Sequence, residues 1–278
     1  MAADNPYKIE GPALISFSGG RTSGFMLHQI VQAHGGKLPD DVVVCFANTG
    51  KEREETLRFV HECGSRWGVR VNWVEWRDTK PGYEVVGFNS CSRNGEPFAE
   101  LIAKKHRLPN WQERWCTQFL KVRAMHDFVR ATLGVTPGQF TEVIGLRNDE
   151  GLRLMKGMAR ASDEGRTVVY PLAAAHVSRQ QVIDFWARQP FDLALRGHEG
   201  NCDLCFMKGR GIRKSIIRAN PDCARWWQRQ EEAVDGFFDR RDRVADLERE
   251  VRQSPMLPFD DGLDDEHDVE CGLHCAAE

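Results

Sequence analysis

The stretch Ala13-Leu14-Ile15-Ser16-Phe17-Ser18-Gly19-Gly20-Arg21-Thr22-Ser23 joins two kinds of local order. Its first five residues form an apolar run of strand length, and from Ser23 to His34 the spacing predicts an amphipathic helix. Between them, two glycines allow a tight turn whose backbone N–H groups point inward, and a helix start adds positive potential. Phosphate or sulfate oxygens are the natural guests of such a turn, with the hydroxyls of Ser18, Thr22 and Ser23 as further donors. The simpler reading is a turn that needs glycine for steric reasons alone. Neither a Walker-type loop nor a dinucleotide Gly-x-Gly-x-x-Gly fingerprint is present. The position of the turn, after a first strand at the carboxyl edge of a sheet, favours a nucleotide.

Outward from this turn, strand-length and helix-length segments alternate. Val42–Ala47 reads as a second strand, 54–67 as a helix, 69–74 as a third strand, 117–132 as a helix and 140–146 as a fourth strand. That alternation predicts an α/β fold, a parallel twisted sheet with helices on both faces. Residues 82–97 lack periodicity and read as a loop. Residues 147–166, rich in Arg and Gly, read as a mobile loop near a ligand. Ser178 is placed to cap a helix running to Trp186, and 211–252 reads as mostly helical, with a solvated charged face at Arg240–Arg243. The expected organisation is a nucleotide-binding α/β domain over 1–175, a mainly helical region over 176–253, and an acidic linker with a cysteine-bearing tail over 254–278.

The 278 residues are 41% hydrophobic and 28% charged, too apolar for a wholly disordered chain. No apolar run approaches a bilayer span, and the N-terminus lacks the features of a signal peptide, so a cytoplasmic home without membrane partners is expected. A net charge of −3 argues against coating nucleic acid by bulk electrostatics. A local contact is conceivable at the basic stretch Lys208–Arg218, with Trp226 and Trp227 beyond it; the plainer reading is a solvated helix face and core tryptophans. Nine cysteines without a secretion signal point to free thiols, metal ligands or redox chemistry.

Several short segments, in order, resemble the PP-loop adenine-nucleotide α-hydrolase superfamily and its phosphoadenylyl-sulfate (PAPS) reductase branch. Ser18-Gly19-Gly20-Arg21-Thr22-Ser23 resembles the PP-loop, with Ser16 at its entrance. Asn48-Thr49-Gly50 resembles the segment that approaches adenosine. Cys116-Thr117 with Leu120-Lys121 is similar to a Cys-Thr-x-x-Leu-Lys motif, Gly145-Leu146-Arg147-Asn148-Asp149 to a Gly-x-Arg-x-Asp loop, and Tyr170-Pro171-Leu172 to an Asn-Pro-Leu segment. The resemblance implies an adenine nucleotide, as adenylyl sulfate (APS), PAPS or ATP, with its anion met by Lys121, Arg147 and Arg153.

Cys202-Asp203-Leu204-Cys205 brings two thiolates within reach of one metal or cluster, and Lys208, Arg210, Arg213 and Lys214 offer compensating charge. With Cys116, these cysteines resemble the [4Fe–4S] ligands of APS reductases. Trp115 stands where those enzymes carry a second adjacent cysteine, so a fourth ligand is sought among Cys223, Cys275 and Cys91 or a bound species. A zinc site and a reduced dithiol are the alternatives. Cys45 and Cys63 read as packing residues. Glu270-Cys271-Gly272-Leu273-His274 resembles the catalytic tail of sulfonucleotide reductases. That likeness implies a Cys271 nucleophile supported by His274, with thioredoxin or glutaredoxin releasing sulfite. A sulfonucleotide reductase is therefore the leading expectation; an intact Ser18-Gly19-Gly20 and Ser23 pull towards the alternative, an ATP pyrophosphatase that adenylates a nucleic acid for thiolation, although Arg21-Thr22 replaces the Lys-Asp common in ATP-using members. Homo-oligomerisation stays open.

Overall fold

The computed structural model describes residues 5–200 and 202–253. Strands β1 (Ala13–Ser16), β2 (Val42–Ala47), β3 (Val71–Trp76), β4 (Tyr83–Val86), β5 (Thr141–Ile144) and β6 (Thr167–Val169) form one sheet in the order β4-β3-β2-β1-β5-β6. All neighbours run parallel except β4, which turns back antiparallel along β3. The α/β class expected above is what the structure shows.

Alternation along the central strands feeds two cores. Leu14, Val43, Cys45 and Ala47 face one side, whereas Ala13, Ile15, Val44 and Phe46 face the other. Burial on both faces explains why β2, Val-Val-Val-Cys-Phe-Ala, is apolar throughout. Helices α1 (Arg21–Ala33) and α2 (Glu54–Trp67) cover the second core, joined by α7 (Arg179–Trp186). The first core is closed by α3 (Glu96–Lys105) and by a π-helical turn, Thr117–Arg123, that runs into α4 (Ala124–Leu133). It is completed by α8 (Arg210–Ala219), α9 (Asp222–Ala233) and α10 (Val244–Gln253).

Chain reversal fixes the site. β1, β2 and β3 are laid down in one direction, and the chain then returns to place β5 and β6 on the other side of β1. The crevice outside the carboxyl ends of β1 and β5 is therefore the switch point at which ligands bind in such sheets.

Several segments differ from expectation. Residues 147–166 hold helix α5 (Gly151–Asp163) rather than a continuous loop, and its buried positions are the small residues Gly157 and Ala161. The stretch 82–97 contains β4 and the start of α3. The helix after Cys116 opens as a π turn, and α6 (Pro171–Ala174) follows Tyr170. Trp226 and Trp227 belong to the core, Trp227 at 1% exposure, so they offer no stacking surface. No described helix is long and apolar enough to cross a membrane.

Candidate functional site

Gly19 sits at φ +80°, and a Cβ there would meet the Thr56 methyl at 2.8 Å. Glycine is needed both for the turn and for its packing on α2. Gly20 is the extended N-cap of α1, and no side chain caps that helix start. The Ser18 and Ser23 hydroxyls lie 2.8 Å apart, with Ser23 also donating to the Gly20 carbonyl. Ser16, at the end of β1, is buried beneath them.

The loop after β5 completes the crevice. A Cβ on Gly145 would stand 3.2 Å from the Ser23 Cα, so glycine lets the two turns approach. Buried Arg147 donates from Nη1 to Thr22 Oγ1 at 2.8 Å and from Nε to Asp149 at 2.9 Å, while its backbone N–H donates to Glu150 at 2.9 Å. Burial would raise the Asp149 carboxyl, but the Arg179 N–H and the Arg147 guanidinium outweigh it and hold the carboxyl below its usual range. Arg153 pairs with Glu150. Arg21 points elsewhere: its guanidinium grips Asp192 and the Leu195 carbonyl, tying α1 to the loop after α7.

Asn48 and Thr49 leave β2 in the neighbouring position. Asn48 is fully buried and donates to Glu75 at 2.6 Å and to the Ser92 carbonyl at 2.9 Å, which makes it a brace for the loop. Thr49 binds the Glu52 carboxylate through N–H and hydroxyl, both at 2.8 Å, and its hydroxyl is 3.5 Å from the Cys202 Sγ. The Cys-x-x-Cys turn is stitched to this loop: Cys202 bridges Glu52 in antiparallel fashion, the Asp203 N–H donates to the Lys51 carbonyl at 2.8 Å, and Lys51 Nζ meets the Asp203 carboxylate at 2.8 Å. Lys121, buried on the π turn that follows Cys116, stands 3.7 Å from Glu52. Nucleotide-type turn and thiol pair thus share one edge of the sheet.

Of the four basic residues after the pair, only Lys208 faces it. Arg210 engages Asp242 and Glu250, Arg213 is buried against Asp239, and Lys214 pairs with Glu250. Lys208 is 1% exposed, and its ammonium donates to the Cys202 and Asp203 carbonyls at 3.0 and 3.2 Å. No carboxylate pairs with it among the described residues. Burial pulls its pKa down, partly opposed by the nearby thiols of Cys205 and Cys202. Burial, then the Glu52 carboxylate, pushes the Cys202 thiol well up. A buried cation on the cysteine turn, close to both thiols, fits an anionic sulfur centre.

Cys116 packs against the same core as Cys202. Among the described residues, no three His, Cys, Asp or Glu side chains are arranged to hold a metal ion. Cys223 is buried nearby, its thiol pushed up to about 12 by burial. Cys91 lies in the opposite core, held by the Phe88 carbonyl and Arg93. Cys45 and Cys63 are core residues, as read. Cys271, His274 and Cys275 lie outside the described residues. The site residues missed by sequence reasoning are Glu52, Asp203 and Glu150; the Thr49-Gly50-Lys51-Glu52 spacing, that of a capping box, is the signal that could have found the first.

No protein-family model matches the chain. It is 30% identical over 204 residues to an uncharacterized nin region protein of Escherichia phage lambda, spanning 70% of this chain and 66% of that one. It is 28% identical over 122 residues to an uncharacterized protein of Methanocaldococcus jannaschii, spanning 44% of this chain and 20% of that one. The chain therefore covers less than two thirds of the length of these relatives. Among solved structures, the U34-tRNA thiolase NcsA from Methanococcus maripaludis with its [4Fe–4S] cluster overlaps 88% of this chain and 73% of its own. The TM-score is 0.37 and the identity 11%.

Proposed function

We propose that this chain is an ATP-using sulfur-transfer enzyme that adenylates an oxygen of a nucleic acid and replaces it with sulfur. The observation that carries this reading is the fastening of the Cys202–Cys205 turn to the loop leaving β2, one strand from the uncapped Ser18–Ser23 turn. Two thiols and an anion cradle on one sheet edge are what an adenylated intermediate awaiting sulfur requires.

In this reading the α1 start and the hydroxyls of Ser18, Thr22 and Ser23 bind the triphosphate. Arg147, preset by Thr22, Asp149 and Glu150, neutralises charge as pyrophosphate leaves. The acceptor oxygen bonds the α-phosphorus while the bond to the pyrophosphate oxygen breaks. Hydrosulfide then forms the new bond to the activated atom as AMP departs with the original oxygen, so no net redox change occurs. Cys202 and Cys205 would hold the sulfur for transfer, and Lys208 and Lys121 would balance its charge.

The test is anaerobic: the full chain with ATP, sulfide and bulk tRNA or plasmid DNA, reading pyrophosphate and, after nuclease digestion, thionucleosides by mass spectrometry. Both products are expected, and both should fall at least ten-fold in Arg147→Ala, while Cys202→Ser should abolish the thionucleoside. Sulfite made from APS or PAPS without ATP, and lost in Cys271→Ser, would replace this reading with the sulfonucleotide reductase.

A further inference from the structure

A second concave feature lies outside the nucleotide crevice. It is a cavity of about 350 Å³ between the loop carrying Asn110, Trp111 and Gln112 and the turn carrying Phe238, Asp239, Arg240 and Arg241. Trp111 is 44% exposed, unlike the core pair Trp226 and Trp227. An indole exposed at the wall of a cavity offers a face on which a flat ring can stack.

The other walls indicate the chemistry. Arg241 holds its guanidinium 5.7 Å from the Trp111 ring centroid. It is fixed there by two bonds to Asp239, at 3.0 and 2.8 Å, and Asp239 is itself neutralised by buried Arg213 at 2.7 Å. Arg240 is exposed and makes no ion pair among the described residues. The Asn110 side-chain oxygen is spent on the N–H groups of Gln112 and Glu113, which sets the loop that brings Gln112 to the wall. An aromatic face, two guanidiniums and an amide edge together select a flat, hydrogen-bonding ring attached to a phosphate.

Placement ties this cleft to the sulfur chemistry. Trp111 lies five residues before Cys116. On the opposite wall, Phe238 stacks on Phe206, the residue after Cys205, at 6.1 Å and 15°. Both walls are continuous with the two cysteine segments.

We propose that this cleft is a docking subsite for an unpaired nucleotide of a single-stranded nucleic acid, with its base on Trp111 and its phosphate met by Arg240 and Arg241. The inference rests on the nucleic-acid acceptor proposed above and names the form of that acceptor: single-stranded rather than duplex.

The experiment measures fluorescence anisotropy of labelled single-stranded 12-mer RNA and DNA with the full chain, in the absence of ATP. Competitors are AMP, a blunt duplex of the same sequence, and poly-glutamate. Expected are preferential binding of the single strand over duplex and poly-glutamate, a loss of about ten-fold in Trp111→Ala with partial rescue by Trp111→Phe, and a salt dependence reduced by about one charge in Arg240→Ala. AMP competing as well as the 12-mer would assign the cleft to free nucleotides and overturn the strand proposal. Unchanged affinity in both variants, or equal binding of poly-glutamate, would also overturn it. Because no ATP is present, these outcomes are independent of whether adenylation occurs, and melting curves of the variants report folding separately.

Discussion

Gly19 shows how much of this site depends on a single absent side chain. Its positive φ, and the 2.8 Å at which a Cβ would meet the Thr56 methyl, leave no room for even a methyl group. Gly19→Ala should therefore destabilise the fold by about 1–3 kcal/mol, since the strained conformation and the clash add. Urea unfolding measures this, and nucleotide affinity should fall with it. The turn itself was legible beforehand, because two glycines between a strand and a helix mark a tight reversal of the chain. Asn48 and Arg21 were harder. Their partners, Glu75 and Asp192, lie 27 and 171 positions away, and no local pattern announces such pairings. The same holds for Lys208: four basic residues follow the cysteines, and only tertiary placement tells the one that folds back onto the cysteine turn from three that pair with Asp239, Asp242 and Glu250.

At the scale of elements, legibility tracked burial. The continuous apolar run of β2 and the amphipathic α2, which ends at left-handed Gly68, were read with correct bounds. Helix α5 was missed although Leu152, Met155 and Met158 recur at helical spacing, because the Arg and Gly content of the segment reads as a loop. Its apolar stripe faces outward at 60–70% exposure, and the buried positions are Gly157 and Ala161. Helix α7 is the opposite case. Ser178 and Gln181 form a complete capping box, the Ser178 N–H donating to the Gln181 side chain at 2.8 Å. Ser178→Ala should cost about 1 kcal/mol in chemical denaturation. Because Trp186 of α7 donates to the Arg21 carbonyl at 2.8 Å, the loss should also loosen the turn at the start of α1.

Across the whole molecule, the α/β class followed from alternation alone, whereas the antiparallel edge strand β4 did not, being short and half exposed. The C-terminal helices, through Ile216 and Trp227, and the cysteine turn before them, through Leu204 and Phe206, share the first core with the sheet. That shared core makes the Arg213–Asp239 pair a matter of global stability. Burial alone would raise the Asp239 carboxyl, but the Arg241 hydrogen bonds and the charges of Arg213 and Arg241 hold it at about 2. An unfolded aspartate titrates near ~3.9. The sign follows: a depressed carboxyl contributes its full stability above the unfolded value and loses it as pH falls through the folded one. Urea midpoints should decline from pH 4 towards 2, and Asp239→Asn should be less stable at neutral pH and less sensitive over that interval.

The π turn at Thr117–Arg123 carries one further consequence. A π turn accommodates an additional residue within a helix, so it behaves as a tolerated insertion. A relative shortened by one residue between Cys116 and α4 would regain an ordinary helix. Because the π turn absorbs that residue, everything before the deletion, including the thiol and the aromatic loop ahead of it, would keep its place around the helix axis. Homologues of this chain are therefore best aligned by treating that helix as two rigid halves with a one-residue gap permitted between them.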